Sequence, residues 1–265
     1  MRACRRIGLV AAACFSLATT SALADDPARL QLSFLAPVQL VPESRDVSGV
    51  RLSLFFGKNA RVSGFDLAGG GTYSGSFSGF QVSGFANFVE GNSTGVQLST
   101  LGNSAKGEMT GLQAGFAING TTKLSGAQIG AIFLNIAREG GAGLQLGGLN
   151  LAGGEFTGAQ IAFLGNGSMV KYSATNLSVT GIQVAIFNVV DVDMTGLQIG
   201  AANLGGLQGT LAGVQIGVLN LANNCKGLQV GLFNGCKDMY GVQIGLLNFI
   251  REGIVKWLPI VNAKF

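Results

Sequence analysis

Gly227-Leu228-Gln229-Val230-Gly231-Leu232-Phe233-Asn234 is followed, after six intervening residues, by Gly241-Val242-Gln243-Ile244-Gly245-Leu246-Leu247-Asn248. Read backwards in the same register, the glutamine position returns at Gln215, Gln198, Gln183, Gln160, Gln145, Gln128, Gln113, Gln97 and Gln81. Two degenerate first copies put Arg51 and Asp66 in that column, which makes 13 units. Successive units lie 14 to 17 residues apart, except for 23 between Gln160 and Gln183. Tandem self-similarity at a fixed period means stacked or radial units that bury surface against their neighbours.

Two residues before the glutamine column stands glycine in every copy, and the flanking positions are apolar, as in Leu112, Ile182 and Ile244. Two residues after it there is only Gly, Ala or Ser. Such alternation is a strand signal with one greasy and one flat polar face. Helix is disfavoured by the glycines, and proline is missing between Glu43 and Leu258, as uninterrupted ladders require. Putting the greasy face inward makes Leu228, Val230, Leu232 and Met239 one unit's interior and leaves the glutamines on the polar face. There they either ladder on one another or form a recognition surface. Gly200, Gly217, Gly231 and Gly245 are expected to stack. A further apolar column, four residues before the glutamine, includes Val62, Phe77, Met109 and Met194. Between it and the glycine lies a Ser/Thr column that includes Ser63, Thr94 and Thr195. With the apolar positions three apart, a corner at Ser/Thr-Gly is expected to turn both inward.

The fold expected is all-β: a single-chain β-solenoid of about 13 coils, 14–17 residues each, with capped ends. Its alternative is an outer-membrane up-and-down β-barrel. The motif has a direction, glycine first and asparagine last, which parallel stacking exploits because identical side chains superpose. A membrane strand needs ~9–11 residues, and the alternating apolar stretch here is only about half as long. The alternating end Val261, Ala263, Phe265 favours the barrel.

Residues 1–24 read as an export signal: Arg2, Arg5 and Arg6, an apolar run, then Ala22-Leu23-Ala24 before the cleavage point. Lipoprotein processing at Cys14 is the alternative. Residues 25–47 are expected to cap one end, 48–253 to form the repeat domain and 254–265 to cap the other end. The signal holds three of the 17 basic residues, so the remainder carries 14 against 13 acidic ones. That balance has no nucleic-acid footprint. Cys225 and Cys236 stay behind as an even pair, which in an exported chain suggests a disulfide.

The tandem Gly-[Leu/Val]-Gln-[Ile/Val]-Gly-x-x-Asn units, with the closing Leu258-Pro259-Ile260-Val261-Asn262-Ala263-Lys264-Phe265, resemble a family of bacterial surface-repeat proteins best known from spirochaetes. The resemblance covers residues 47 to 265. It implies an exported, surface-associated protein and brings no catalytic residue with it.

Of 265 residues 43 are glycine, 11% are charged and none is histidine. The last removes Ser-His-Asp and Cys-His nucleophile systems and histidine-ligated zinc. Gly69-Gly70-Gly71 and Gly140-Gly141 lack the strand-to-helix setting of a phosphate loop and read as turns. Asp191 and Asp193 do not recur as a calcium β-roll demands. With no titratable cluster for acid–base work, the expectation is a non-enzymatic exported surface protein without cofactor or metal. Its role is structural or partner-binding, toward a protein or glycan at the cell surface, with outer-membrane association as a further expectation. The alternatives are an outer-membrane pore in function and the periplasm in location.

Overall fold

The computed structural model describes residues 26–168 and 177–265. The export signal, with Cys4 and Cys14, lies outside the described residues. The chain is all-β, and its parallel coils stack into a β-solenoid of about 11 turns, not a barrel. At ~4.8 Å per coil the stack is on the order of 50 Å long.

The elements are β1 (Ala28–Leu35), β2 (Val38–Gln39), β3 (Val47–Ala68), β4 (Gly71–Ser83), β5 (Ala86–Val89), β6 (Ser93–Ser99), β7 (Gly102–Gly115) and β8 (Ile118–Gly130). They continue as β9 (Leu134–Ala137), β10 (Gly141–Ala152), β11 (Phe156–Ser168), β12 (Ser178–Val184), β13 (Phe187–Val189), β14 (Asp193–Ile250) and β15 (Trp257–Lys264). Neighbouring coils pair in parallel with identical positions opposed: Gln81 with Gln97, Gln97 with Gln113, Gln145 with Gln160, and Asn150 with Asn166.

The 13 motif glycines all have positive φ, from Gly95 at 114° to Gly241 at 152°. A Cβ at any of them would overlap a backbone carbonyl of the coil before, as at Gly64 on Gly49 or Gly241 on Gly227. Only glycine tolerates both the torsion and the approach, so the column is absolute. The strands run straight through the Ser/Thr-Gly dipeptide, as in β6 and β12. The expected corner there is absent. The chain turns instead after the small residue that follows the glutamine, and again in the spacer.

The direction of the faces is the reverse of the expectation. Met239 is buried, but Leu228 and Val230 are only half-buried and Leu232 is 51% exposed. The glutamines are inside. Alternation at period two says that two faces differ, not which one is covered. What decides it is parity: Met109, Gly111, Gln113 and Gly115 are successive residues of one face. That face carries an apolar residue at one end and a self-satisfying amide at the other. The interior therefore has two halves. An apolar half holds the column that includes Val62, Phe77, Met109, Leu124 and Met194, opposed by Val89, Ala105, Ala137, Val190 and Ile250. A polar half holds the glutamines and asparagines.

The segment expected only as an N-terminal cap adds a rung. β1 pairs in parallel with β3, Gln31 opposite Arg51, and Gln31 is buried. β2 folds back antiparallel on β1. At the other end β15 crosses the last coil antiparallel, with Asn262 opposite Gln243 and Trp257 opposite Phe249.

Candidate functional site

Eleven glutamines fill the column, each 0–1% exposed. Gln97 donates its Nε2 to Gln81 Oε1 at 2.7 Å, Gln113 to Gln97 at 2.8 Å and Gln128 to Gln113 at 2.9 Å. The series continues without a gap through Gln145, Gln160, Gln183, Gln198, Gln215, Gln229 and Gln243. The 23-residue interval does not interrupt it: Gln183 reaches Gln160 at 2.7 Å. At this burial the column is no recognition surface.

A second ladder was not among the sites expected. Asn87 donates to Asn103 Oδ1, Asn103 to Asn119, Asn119 to Asn135, and so on to Asn248. Glutamine amides point their N–H groups toward the N-terminal end and asparagine amides toward the C-terminal end. The two rows of dipoles therefore oppose one another across the interior. The second asparagine hydrogen goes to a backbone carbonyl at the turn of the next coil, as from Asn103 to Ala114 and from Asn220 to Val230. This is why asparagine closes the motif: one amide satisfies its neighbour and ties down the corner. Buried amides with their donors and acceptors used carry no large desolvation penalty.

Both ladders have defined starts. Gln81 donates to Asp66 Oδ2 at 2.7 Å, and Asp66 is held by Arg51 through Nε at 2.7 Å and Nη2 at 2.6 Å. The pair is fully buried. Thr72 donates to Asn87 Oδ1 at 3.0 Å. At the far end Gln243 Oε1 is buried and has no hydrogen-bond partner among the described residues.

Outside, polarity is sorted by corner. In the coils every charged residue from Glu43 to Glu252, apart from Arg51, Lys58 and Asp66, falls in the spacers. Ion pairs link successive coils, Lys58–Glu43 at 2.8 Å, Arg61–Asp46 at 2.7 Å, Lys106–Glu90 at 2.7 Å and Lys237–Glu252 at 3.7 Å, and Lys264 of β15 pairs with Asp238. Bonds from Lys106 and then Tyr73 hold the Glu90 carboxyl below the usual range, and the Lys264 bond does the same for Asp238. The opposite corner, between the glutamine and asparagine rungs, carries Phe55, Phe85, Leu101, Phe116, Ile132, Phe163, Leu164, Val218, Leu232, Phe233, Leu246 and Leu247, all exposed. The Ser/Thr column also faces outward, as at Ser63, Thr94 and Thr195.

Cys225 and Cys236 are buried free thiols in one core cluster, and the bond expected between them is not formed in this structure. Burial pushes both up to about 12, and for Cys236 neighbouring Cys225 adds to it. Asp191 and Asp193 do not meet a third ligand: among the described residues no group of three or more His, Cys, Asp or Glu could hold a metal. Asp193 Oδ1 instead accepts the Thr210 backbone N–H at 2.7 Å. No family model, no curated protein and no solved structure matches the chain.

Proposed function

We propose that the chain is a non-enzymatic, exported surface protein whose work is done by the side of a rigid rod, in a structural or partner-binding role. One observation carries this reading: a charge-free apolar flank runs along the coils from Phe85 to Leu247. The interior amides are engaged with one another, and spacer carboxylates and lysines pair along the stack. Among the described residues the apolar flank is an outward surface that no other part of the chain covers, and exposed apolar patches of this extent mark interaction sites.

Export is tested on cells. The mature N-terminus, read by mass spectrometry, is expected to begin at Asp25. A membrane-impermeant amine label applied to intact cells is expected to reach lysines of the ridge formed by the charged spacers, such as Lys106 and Lys226. A chain that retains residues 1–24 and stays unlabelled in the cytosolic fraction overturns the proposal.

A further inference from the structure

We infer that the partner of the apolar flank is a lipid leaflet, into which the rod sinks lengthwise with its charged corner left at the headgroups. This rests on reading the flank as a binding surface, and four observations carry it further.

Coverage is the first. Apolar side chains leave the coil on both strands and at the corner between them: Ile161 before the corner, Phe163 and Leu164 on it, and Leu221 and Phe88 on strands beyond it in other coils. A rigid protein partner, or a second copy, covers one such side. A fluid hydrocarbon covers all of them at once.

Backbone satisfaction is the second. Peptide groups in lipid must be bonded within the protein. Strand groups are bonded coil to coil, and so are groups of the apolar corner itself. Phe85 donates to Gly70 at 2.8 Å, Leu101 to Phe85 at 2.8 Å, Ile132 to Phe116 at 3.1 Å, Leu149 to Phe133 at 2.7 Å and Ala202 to Ile186 at 3.0 Å.

Depth is the third. From the spacer to the apolar corner a strand runs about seven residues, or roughly 20–25 Å. Half of a bilayer with its headgroups is also about 20–22 Å.

Asymmetry is the fourth. A spanning element needs polar ground at both interfaces, and this coil has charge at one corner only. The geometry points to one leaflet, entered from one side.

The test uses the chain as recovered from cells, mixed with phosphatidylcholine vesicles, plain or brominated along the acyl chains. Trp257 is the only tryptophan, so single reporters are placed in a Trp257→Phe background: Phe163→Trp and Leu232→Trp on the apolar corner, Lys106→Trp on the ridge. The protein is expected to float with vesicles, with bromines quenching the two corner reporters severalfold more than the ridge reporter. Phe163→Lys with Leu164→Lys, checked for an unchanged β spectrum, is expected to weaken flotation by at least about tenfold, since two apolar anchors are lost. Equal quenching at corner and ridge overturns the inference. So does a detergent-free monomer that ignores vesicles, or a stable homodimer that shields Phe163→Trp from aqueous quenchers. Failure here leaves export and surface labelling untouched, so the two proposals fall separately.

Discussion

Gln81 Nε2 lies 2.7 Å from Asp66 Oδ2, so the aligned glutamine amides end with a donor on a carboxylate, and Arg51 neutralises that carboxylate from the other side. The two units that depart from the glutamine column are therefore its terminus. A charged pair takes the place of two amides where the row of dipoles has to stop.

The pair gives the first prediction. Asp66→Ala leaves Arg51 buried without its counter-charge and is expected to cost about 3–5 kcal/mol. Arg51→Gln with Asp66→Gln prolongs the ladder by two rungs and is expected to be close to neutral. Urea unfolding of the single and double variants decides it. A double variant as unstable as Asp66→Ala would show that the column does not accept further amides there.

Repeat, register and parallel stacking were legible because the glycine column permits one alignment, and its positive φ at all 13 positions is why no copy strays. Inside and outside were not legible from alternation. The flanking Leu, Ile and Val suggested an inward face, yet Met109 and Gln113 share parity, so the apolar and amide columns had to point the same way. Gln31 escaped notice because Arg29 stands where other units have glycine. The asparagine ladder was readable as a recurring motif end, but not as a second row opposed in direction. The cross-section is thus crossed in polarity. Amides lie beneath the apolar corner, and the apolar core lies beneath the charged one.

The middle and end of the glutamine ladder are expected to differ. Gln145→Met strands an acceptor on Gln128 and a donor on Gln160, a loss of roughly 2–6 kcal/mol for two buried unsatisfied groups. Gln243→Met strands Gln229 Oε1 and withdraws longer bonds from the Phe249 carbonyl and Cys236 Sγ, but it strands no donor, because the Gln243 Oε1 it removes had no partner among the described residues. Its urea midpoint is expected to fall by half as much or less. Equal falls would mean that the ladder bonds contribute nothing beyond packing.

Gly217 sits on the Gly200 carbonyl, and a Cβ there would lie 2.6 Å from Asn203 Nδ2. Gly200, Gly217, Gly231 and Gly245 do stack in sequence. Gly217→Ala is expected to cost about 1–3 kcal/mol through overpacking against backbone. Ser168, at the start of the long interval, is expected to be exposed but is only 8% exposed, and its hydroxyl accepts the Asp191 N–H, so it is no control. Gly120 is, since nothing lies within 4 Å of a Cβ there. Comparable thermal losses for Gly217→Ala and Gly120→Ala would contradict this account.

The long interval between Gln160 and Gln183 reads as an insertion expected to protrude over Gly167 to Ser178. Its ends, Gly167, Ser168 and Ser178, belong to β11 and β12, and residues 169–176 lie outside the described residues. Excising those eight residues restores a spacing of 15, the interval between Gln145 and Gln160. Rungs on both sides already pair in register, so the shortened chain is expected to keep its urea midpoint, because loop length enters stability only weakly. A fall comparable to that of Gln145→Met would show that the segment is part of the stack.

The thiols give the last prediction. Desolvation raises Cys225 and Cys236 to about 12, above an ordinary value of 9.0. A folded-state pKa above the unfolded one means the stability contribution is whole below about pH 9, declines as the unfolded thiols ionise, and is gone once the folded pKa is passed. The urea midpoint is accordingly expected to fall between pH 9 and pH 12, and to fall less when Cys225→Val and Cys236→Ala are combined. At pH 8 the folded protein is expected to react with iodoacetamide far more slowly than the unfolded one, since only the thiolate attacks. Rapid labelling of the native chain would show that the cluster opens. An unreduced mass two hydrogens short would show that the sulfurs do bond, and that the coil closes by oxidation rather than by packing.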